Sequence, residues 1–156
     1  MQFHDPQFSV AQTTLLTSVD GKTIDNWITH GHIAPGEGKG RERRFSLRQL
    51  LTIAILDRLR SNFNVQAATA SFIAHRMAED YEPQASGDLQ SIWAGGAISA
   101  TSYRPTYELL RGDDGELRAF ERDDNPADGT MIIVPVGLMA RGLFAKVKAL
   151  REAEAE

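Results

Sequence analysis

Two groups of polar side chains in the first third of this 156-residue chain have the types and spacing for contacts with a polyanion. Lys22, Thr23 and Asn26 fall on one face of a helical period. An asparagine offers paired donor and acceptor groups to an adenine edge, a threonine offers a hydroxyl, and a lysine offers a mobile charge. Lys39, Arg41, Arg43 and Arg44 follow in a stretch punctuated by Gly36, Gly38 and Gly40, with Arg48 just beyond. Guanidinium groups match phosphate oxygens in a planar, two-pronged geometry, so this second group suits a nucleic-acid backbone. The bland alternatives are a solvated hairpin and an ordinary polar helix face.

Catalytic and metal chemistry find no comparable pattern. His30 and His32 flank Gly31 without a third ligand at suitable spacing, and His4-Asp5 and His75 lack a nucleophile at an interpretable distance. Gly31 and Gly36 bracket four residues as a phosphate loop does, but Glu37 and Gly38 stand where lysine and serine or threonine are required. The chain has no cysteine, which excludes disulfides, thiolate nucleophiles and cysteine-based metal sites. No enzymatic activity, catalytic residue, metal or cofactor is expected. Trp27 is expected in the core rather than stacked on a base.

The net charge of −4 is unpromising for a nucleic-acid binder until it is divided along the chain. Between Gly36 and Arg60, Lys39, Arg41, Arg43, Arg44, Arg48, Arg58 and Arg60 oppose only Glu37, Glu42 and Asp57, whereas acidic residues dominate from Tyr81 onward. Contact with phosphate therefore belongs to the first half. Hydrophobic residues make up 42 % and charged residues 24 %, the balance of a folded globular protein. The N-terminal residues lack a basic segment followed by an apolar one, and no apolar run is long enough to span a bilayer, so a soluble, cytoplasmic protein without a membrane partner is expected. Arg111-Gly112-Asp113 is assigned to a polar turn rather than to adhesion.

Six helices, one of them short, and a few strands are expected to position these groups. Ser9 can cap a first helix to about residue 16, with Val10, Leu15 and Leu16 available for the core. Thr17-Ser18-Val19 is a turn, and Asp20 can cap a second helix to about residue 30, ended by Gly31 in a left-handed conformation. There Ile24, Trp27 and Ile28 share an inward face, leaving Lys22, Thr23 and Asn26 largely outside it. A glycine hairpin follows, with Arg43-Arg44-Phe45 on its return side. Ser46 and Gln49 form a capping box for a long helix to about residue 61. Its Leu47, Leu50, Leu51, Ile53, Ala54, Ile55, Leu56 and Leu59 cover more than one face, as a centrally packed helix requires. A further helix from 65 to about 79 carries Val65, Ala68, Phe72, Ile73 and Met77.

Beyond it, residues 80–104 read as a linker in which Leu89, Ile92 and Trp93 suggest a short helix ended by Gly95-Gly96. Residues 105–156 read as a small α+β unit. Extended runs around 107–110 and 116–122 are joined in hairpin fashion, 130–136 forms a buried strand with Pro135 at an edge, and a last helix spans about 138–153. Its Leu138, Leu143, Phe144, Val147 and Leu150 can face the chain's own strands or a second subunit. The fold class is thus mainly α with small β elements.

Residues 8–60, or 8–79 with the helix that follows, resemble the DNA-binding domain of MerR-type transcription regulators. Leu15-Leu16-Thr17-Ser18-Val19 is similar to that family's first helix and turn, Lys22-Thr23-Ile24 to the opening of its second helix, and Trp27 to its aromatic position. Gly31-His32-Ile33-Ala34-Pro35 resembles the Gly-Leu-Leu-x-Pro exit, Arg43-Arg44-Phe45-Ser46 the Arg-Arg-Tyr-Ser end of the wing, and residues 50–59 the helix after it. The resemblance implies a winged helix-turn-helix, with the second helix in the major groove of double-stranded DNA and the wing on the adjacent backbone. It implies a homodimer on an inverted-repeat operator, with RNA polymerase or another regulatory protein as a further candidate partner. Asp25 and Asn26 depart from it, standing where arginine and tyrosine are common, and the long dimerisation coiled coil of many members is missing. The expected function is sequence-specific transcription regulation. The alternatives are a phage-type architectural factor, such as an excisionase or small terminase subunit, and a protein-interaction adaptor.

Overall fold

A computed structural model of the chain describes residues 3–80, 91–99, 108–112, 129–134 and 136–155. The described part is mainly helical with small antiparallel sheets.

The first elements are set by side chains that satisfy free backbone groups at helix ends. Strand β1 (Phe8–Ser9) leads directly into helix α1 (Val10–Thr17). Ser9 Oγ accepts from the Gln12 amide at 3.2 Å, and the Gln12 side chain accepts from the Ser9 amide at 2.8 Å. The helix stops at Ser18, whose φ of 63° is unusual for a residue with a side chain, and whose N–H still donates to the Thr14 carbonyl at 2.9 Å. Helix α2 (Gly21–Thr29) follows after Val19 and is capped by Asp20. Gly31, at φ 71°, closes its far end in the left-handed conformation expected of it.

The glycine hairpin comes next. Glu37 and Arg44 exchange backbone hydrogen bonds of 2.8 and 2.7 Å, and a 3-10 turn (Gly40–Glu42) reverses the chain between them. Its return strand β2 (Arg44–Phe45) pairs antiparallel with β1, Phe8 opposite Phe45 and Ser9 opposite Arg44. The hairpin is therefore anchored through β1 to the start of α1.

Helix α3 (Leu47–Phe63) carries the capping box expected at Ser46 and Gln49, with bonds of 2.8 and 3.2 Å. Leu47, Leu50, Leu51, Ile53, Ile55, Leu56 and Leu59 are all buried, so the helix is enclosed on several sides. Each such aliphatic side chain contributes about 1.5–3 kcal/mol on removal from water. Asn64 ends α3 at φ 51°, and helix α4 (Ala67–Asp80) folds back against it. The buried stripe of α4 is Ala70, Ile73, Ala74, Met77 and Ala78, the i, i+3, i+4, i+7, i+8 pattern of one helix face. Phe72 is exposed, as is Ala68, because both lie off that stripe. Val65 is buried, but in the connection before α4 rather than in the helix.

Strands β3 (Ser91–Ser99), β4 (Glu108–Gly112) and β5 (Gly129–Val134) form a sheet of order β4-β3-β5, antiparallel throughout. The short helix expected around Ile92 and Trp93 is a strand instead, and Gly95-Gly96 lies inside it rather than ending it. Gly95 stands opposite both Glu108 and Ile133, and Gly96 opposite Ile132. Hydrogen bonding to neighbouring strands holds these glycines extended, where local propensity alone favours a turn. Arg111 and Gly112 likewise belong to β4, opposite Ile92 and Ser91, and not to a turn. The extended run expected over 116–122 lies outside the described residues, as do Asp113 and Pro135. The strand expected over 130–136 is β5, at an edge among the described strands, but it stops at Val134 and Val136 already opens the following helix.

Helix α5 (Val136–Ala155) packs on β3, α3 and α1. Val136, Ala140, Leu143 and Val147 face inward and join one core with Leu16, Ile24, Trp27, Phe45 and the α3 side chains. Of the apolar stripe expected on this helix, Leu143 and Val147 are buried within the chain, while Phe144 and Leu150 are only partly covered. Leu15 on α1, expected to be available for the core, is 65 % exposed, and Leu138 on α5 is 47 % exposed. Leu16 and Ala140 occupy the inward positions nearby, and a rotation of about 100° per residue turns other side chains away. Among the described residues, no helix is long and apolar enough to cross a membrane.

Candidate nucleic-acid interface

Helix α2 presents two faces of opposite character. Ile24 and Trp27 are buried and Ile28 is partly so, while Lys22, Asp25, Asn26, Thr29 and His30 are exposed. Trp27 lies in the core, as expected. The polar face begins at a well-defined cap: Asp20 Oδ1 accepts from the Thr23 amide at 2.9 Å, and Oδ2 accepts from the Thr23 hydroxyl at 2.6 Å. The hydroxyl bond and then the amide bond hold the Asp20 carboxyl below the usual aspartate range. Thr23 therefore commits its hydroxyl to the helix start. Asn26 sits one turn further along, and no hydrogen bond among the described residues engages its side-chain amide. Its backbone carbonyl accepts instead, lying 2.8 Å from His30 Nδ1.

Among the described residues, Arg43 and Asp25 connect the hairpin to this face. Arg43 Nη1 lies 3.0 Å from Asp25 Oδ1, with the arginine side chain 19 % exposed and the aspartate 65 %. Arg43 Nε is enclosed and has no hydrogen-bond partner among the described residues. Its stem crosses Gly36, where a β-carbon would stand 2.9 Å from Arg43 Cγ and 2.3 Å from the Arg44 carbonyl oxygen. Only glycine leaves room for that crossing. Gly38 and Gly40 serve the hairpin differently, through φ values of 89° and 54°.

The remaining basic residues divide by exposure. Lys39 and Arg44 are exposed, and Arg48 is half-buried at the start of α3. Arg41 falls on the 3-10 turn, and its side chain lies outside the described residues. Arg60, outside the expected set, bonds the Val65 carbonyl at 3.4 Å, a cation closing the C-terminal end of α3.

Several contacts that hold this surface in place leave no mark in the sequence. The His32 carbonyl, just after α2, accepts from Ser71 Oγ at 2.5 Å and lies 3.1 Å from His75 Nε2, so α4 grips the exit of α2. The His30 and His32 rings stack with centroids 6.1 Å apart. Lys146 Nζ donates to the Leu16 carbonyl at 3.2 Å, Gln12 donates to Glu154 at 2.7 Å, and Arg151 donates to Gln7, so α5 braces α1. Residue types alone call for a counter-charge to Asp25, an acid on a basic face, but do not say that Arg43 supplies it. Among the described residues, no three His, Cys, Asp or Glu side chains converge as metal ligands. Compared with known protein families and with curated proteins, the chain matches no family model and no curated sequence.

Proposed function

We propose that this protein is a sequence-specific, double-stranded-DNA-binding transcription regulator built on a MerR-like winged helix-turn-helix, acting as a dimer on an inverted repeat. In this reading α1 and α2 are the helix-turn-helix, α2 enters the major groove, and the glycine hairpin is the wing on the neighbouring backbone. The observation that carries it is the Arg43 to Asp25 bond, which joins the basic hairpin to the exposed face of α2. Lys22 and Asn26 are exposed on α2, and Arg44 and Lys39 are exposed on the hairpin. Together they combine hydrogen-bonding groups for base edges with cations for phosphates, the division of labour found in DNA readers.

The test is equilibrium binding of the purified protein to random-sequence duplex across a salt series, followed by selection of preferred sequences. Affinity that falls steeply with salt, and enrichment of an inverted repeat, are expected. No salt-dependent binding to any duplex would remove the reading.

A further inference from the structure

We propose that Asp25 and Arg43 form a cross-brace that holds the hairpin against the exposed face of α2, making Arg43 a positioning residue rather than a phosphate ligand. The second half of this statement rests on the DNA-binding reading above; the first half does not.

The geometry separates Arg43 from its basic neighbours. Its side chain is four-fifths covered, its stem lies across Gly36, and its bonded nitrogen is turned to α2. Arg44, the next residue along an extended segment, points to the opposite side and is exposed. Adjacent arginines thus have different work: one faces inward to the helix, the other outward to solvent.

The brace also accounts for an acid in the middle of a reading face. An unpaired Asp25 would repel a nearby phosphate, whereas paired with Arg43 its charge is compensated within the protein. The two bonds between Glu37 and Arg44 lie immediately beside the pair, so breaking the brace should loosen them first.

Two readouts test this, one without DNA. In Asp25→Ala, amide hydrogen exchange at Glu37 and Arg44 should accelerate about two- to fivefold, the range expected for removal of a partly exposed ion pair, while Leu51 in α3 stays protected. Arg43→Lys, which keeps stem and charge, should retain most of the protection, and Arg43→Met, which keeps only the stem, should lose it. Binding to a labelled random-sequence duplex should weaken in Asp25→Ala by a similar factor, although a negative charge has been removed. Simple repulsion predicts the opposite sign. The salt dependence should be unchanged in Arg43→Met, since the same number of phosphates stays neutralised. Unchanged exchange, tighter binding in Asp25→Ala, or a reduced salt dependence in Arg43→Met overturns the proposal. Faster exchange in a protein that binds no duplex leaves the brace standing and removes the DNA reading, so the two failures are distinguishable.

Discussion

Arg43 and Asp25, eighteen positions apart, meet at 3.0 Å and connect a hairpin with no apolar side chain of its own between Gly36 and Arg44 to the outer face of helix α2. The hairpin is otherwise held by backbone pairing, with Arg44 opposite Glu37 on one side and Ser9 on the other. Its placement therefore depends on polar contacts, and the exposed groups it carries can be altered without disturbing the core.

Arg44→Ala combined with Lys39→Ala should weaken duplex binding for all sequences alike. For each phosphate that is no longer neutralised, the slope of log affinity against log salt should become shallower by about 0.9. Fluorescence anisotropy across a salt series measures both effects, and an unaltered slope would show that neither side chain touches phosphate.

Asn26→Ala should act differently, reducing discrimination between sequences by about 1–3 kcal/mol while leaving non-specific affinity nearly intact. Competition between a selected site and random duplex gives that ratio. Equal weakening on both would assign Asn26 to the backbone instead.

Gly36→Ala should destabilise the fold by about 1–3 kcal/mol, the usual cost of forcing a methyl group into filled space. The obstacle at 2.3 Å is the Arg44 carbonyl, which cannot swing aside without breaking its bond to Glu37. Urea unfolding reads the change. Gly142→Ala, at a position in α5 with nothing near the added carbon, should be neutral or stabilising.

The Asp20 cap gives the stability a pH dependence of known sign. Its carboxyl is held below the ordinary value of 3.8, chiefly by the Thr23 hydroxyl, so its contribution is present in full above that value. It disappears as pH falls from there through the lower folded value. In Asp20→Ala the difference from the parent protein should vanish at the acid end of a series of urea unfolding curves. A difference that grew on acidification would contradict the cap.

Leu143→Ala should cost about 2–5 kcal/mol, as for other buried leucines, because α5 shares the core of α1 and α3. Leu138→Ala, on the same helix but 47 % exposed, should cost far less. Comparable destabilisation would mean that Leu138 is covered by a second subunit in solution.

Much of the helical framework was legible in the residues because its signals are local. Ser9, Asp20, Ser46 and Gln49 announce helix starts through bonds to amides within three residues, and Gly31 announces a stop through a conformation that few other residues tolerate. Burial was legible where the apolar stripe was unambiguous, as at Ile24 and Trp27. It was not legible at Leu15, Phe72 or Leu138, where large apolar side chains stand close to the true inward positions and only packing against another element selects between them.

The sequence by itself determined where the helices begin, which residues build the hairpin and where positive charge gathers, since each follows from a side chain acting on its own few neighbours. Tertiary structure alone decided that Ile92 to Gly96 is a strand, that α5 closes on its own core, and that Asp25 faces Arg43. Each of these depends on partners far away in the chain: two flanking strands for the glycines, α1 and α3 for the last helix, and a folded-back hairpin for the aspartate. Local propensity carries no information about such partners, because the energy that selects the conformation exists only once the distant segment is in place.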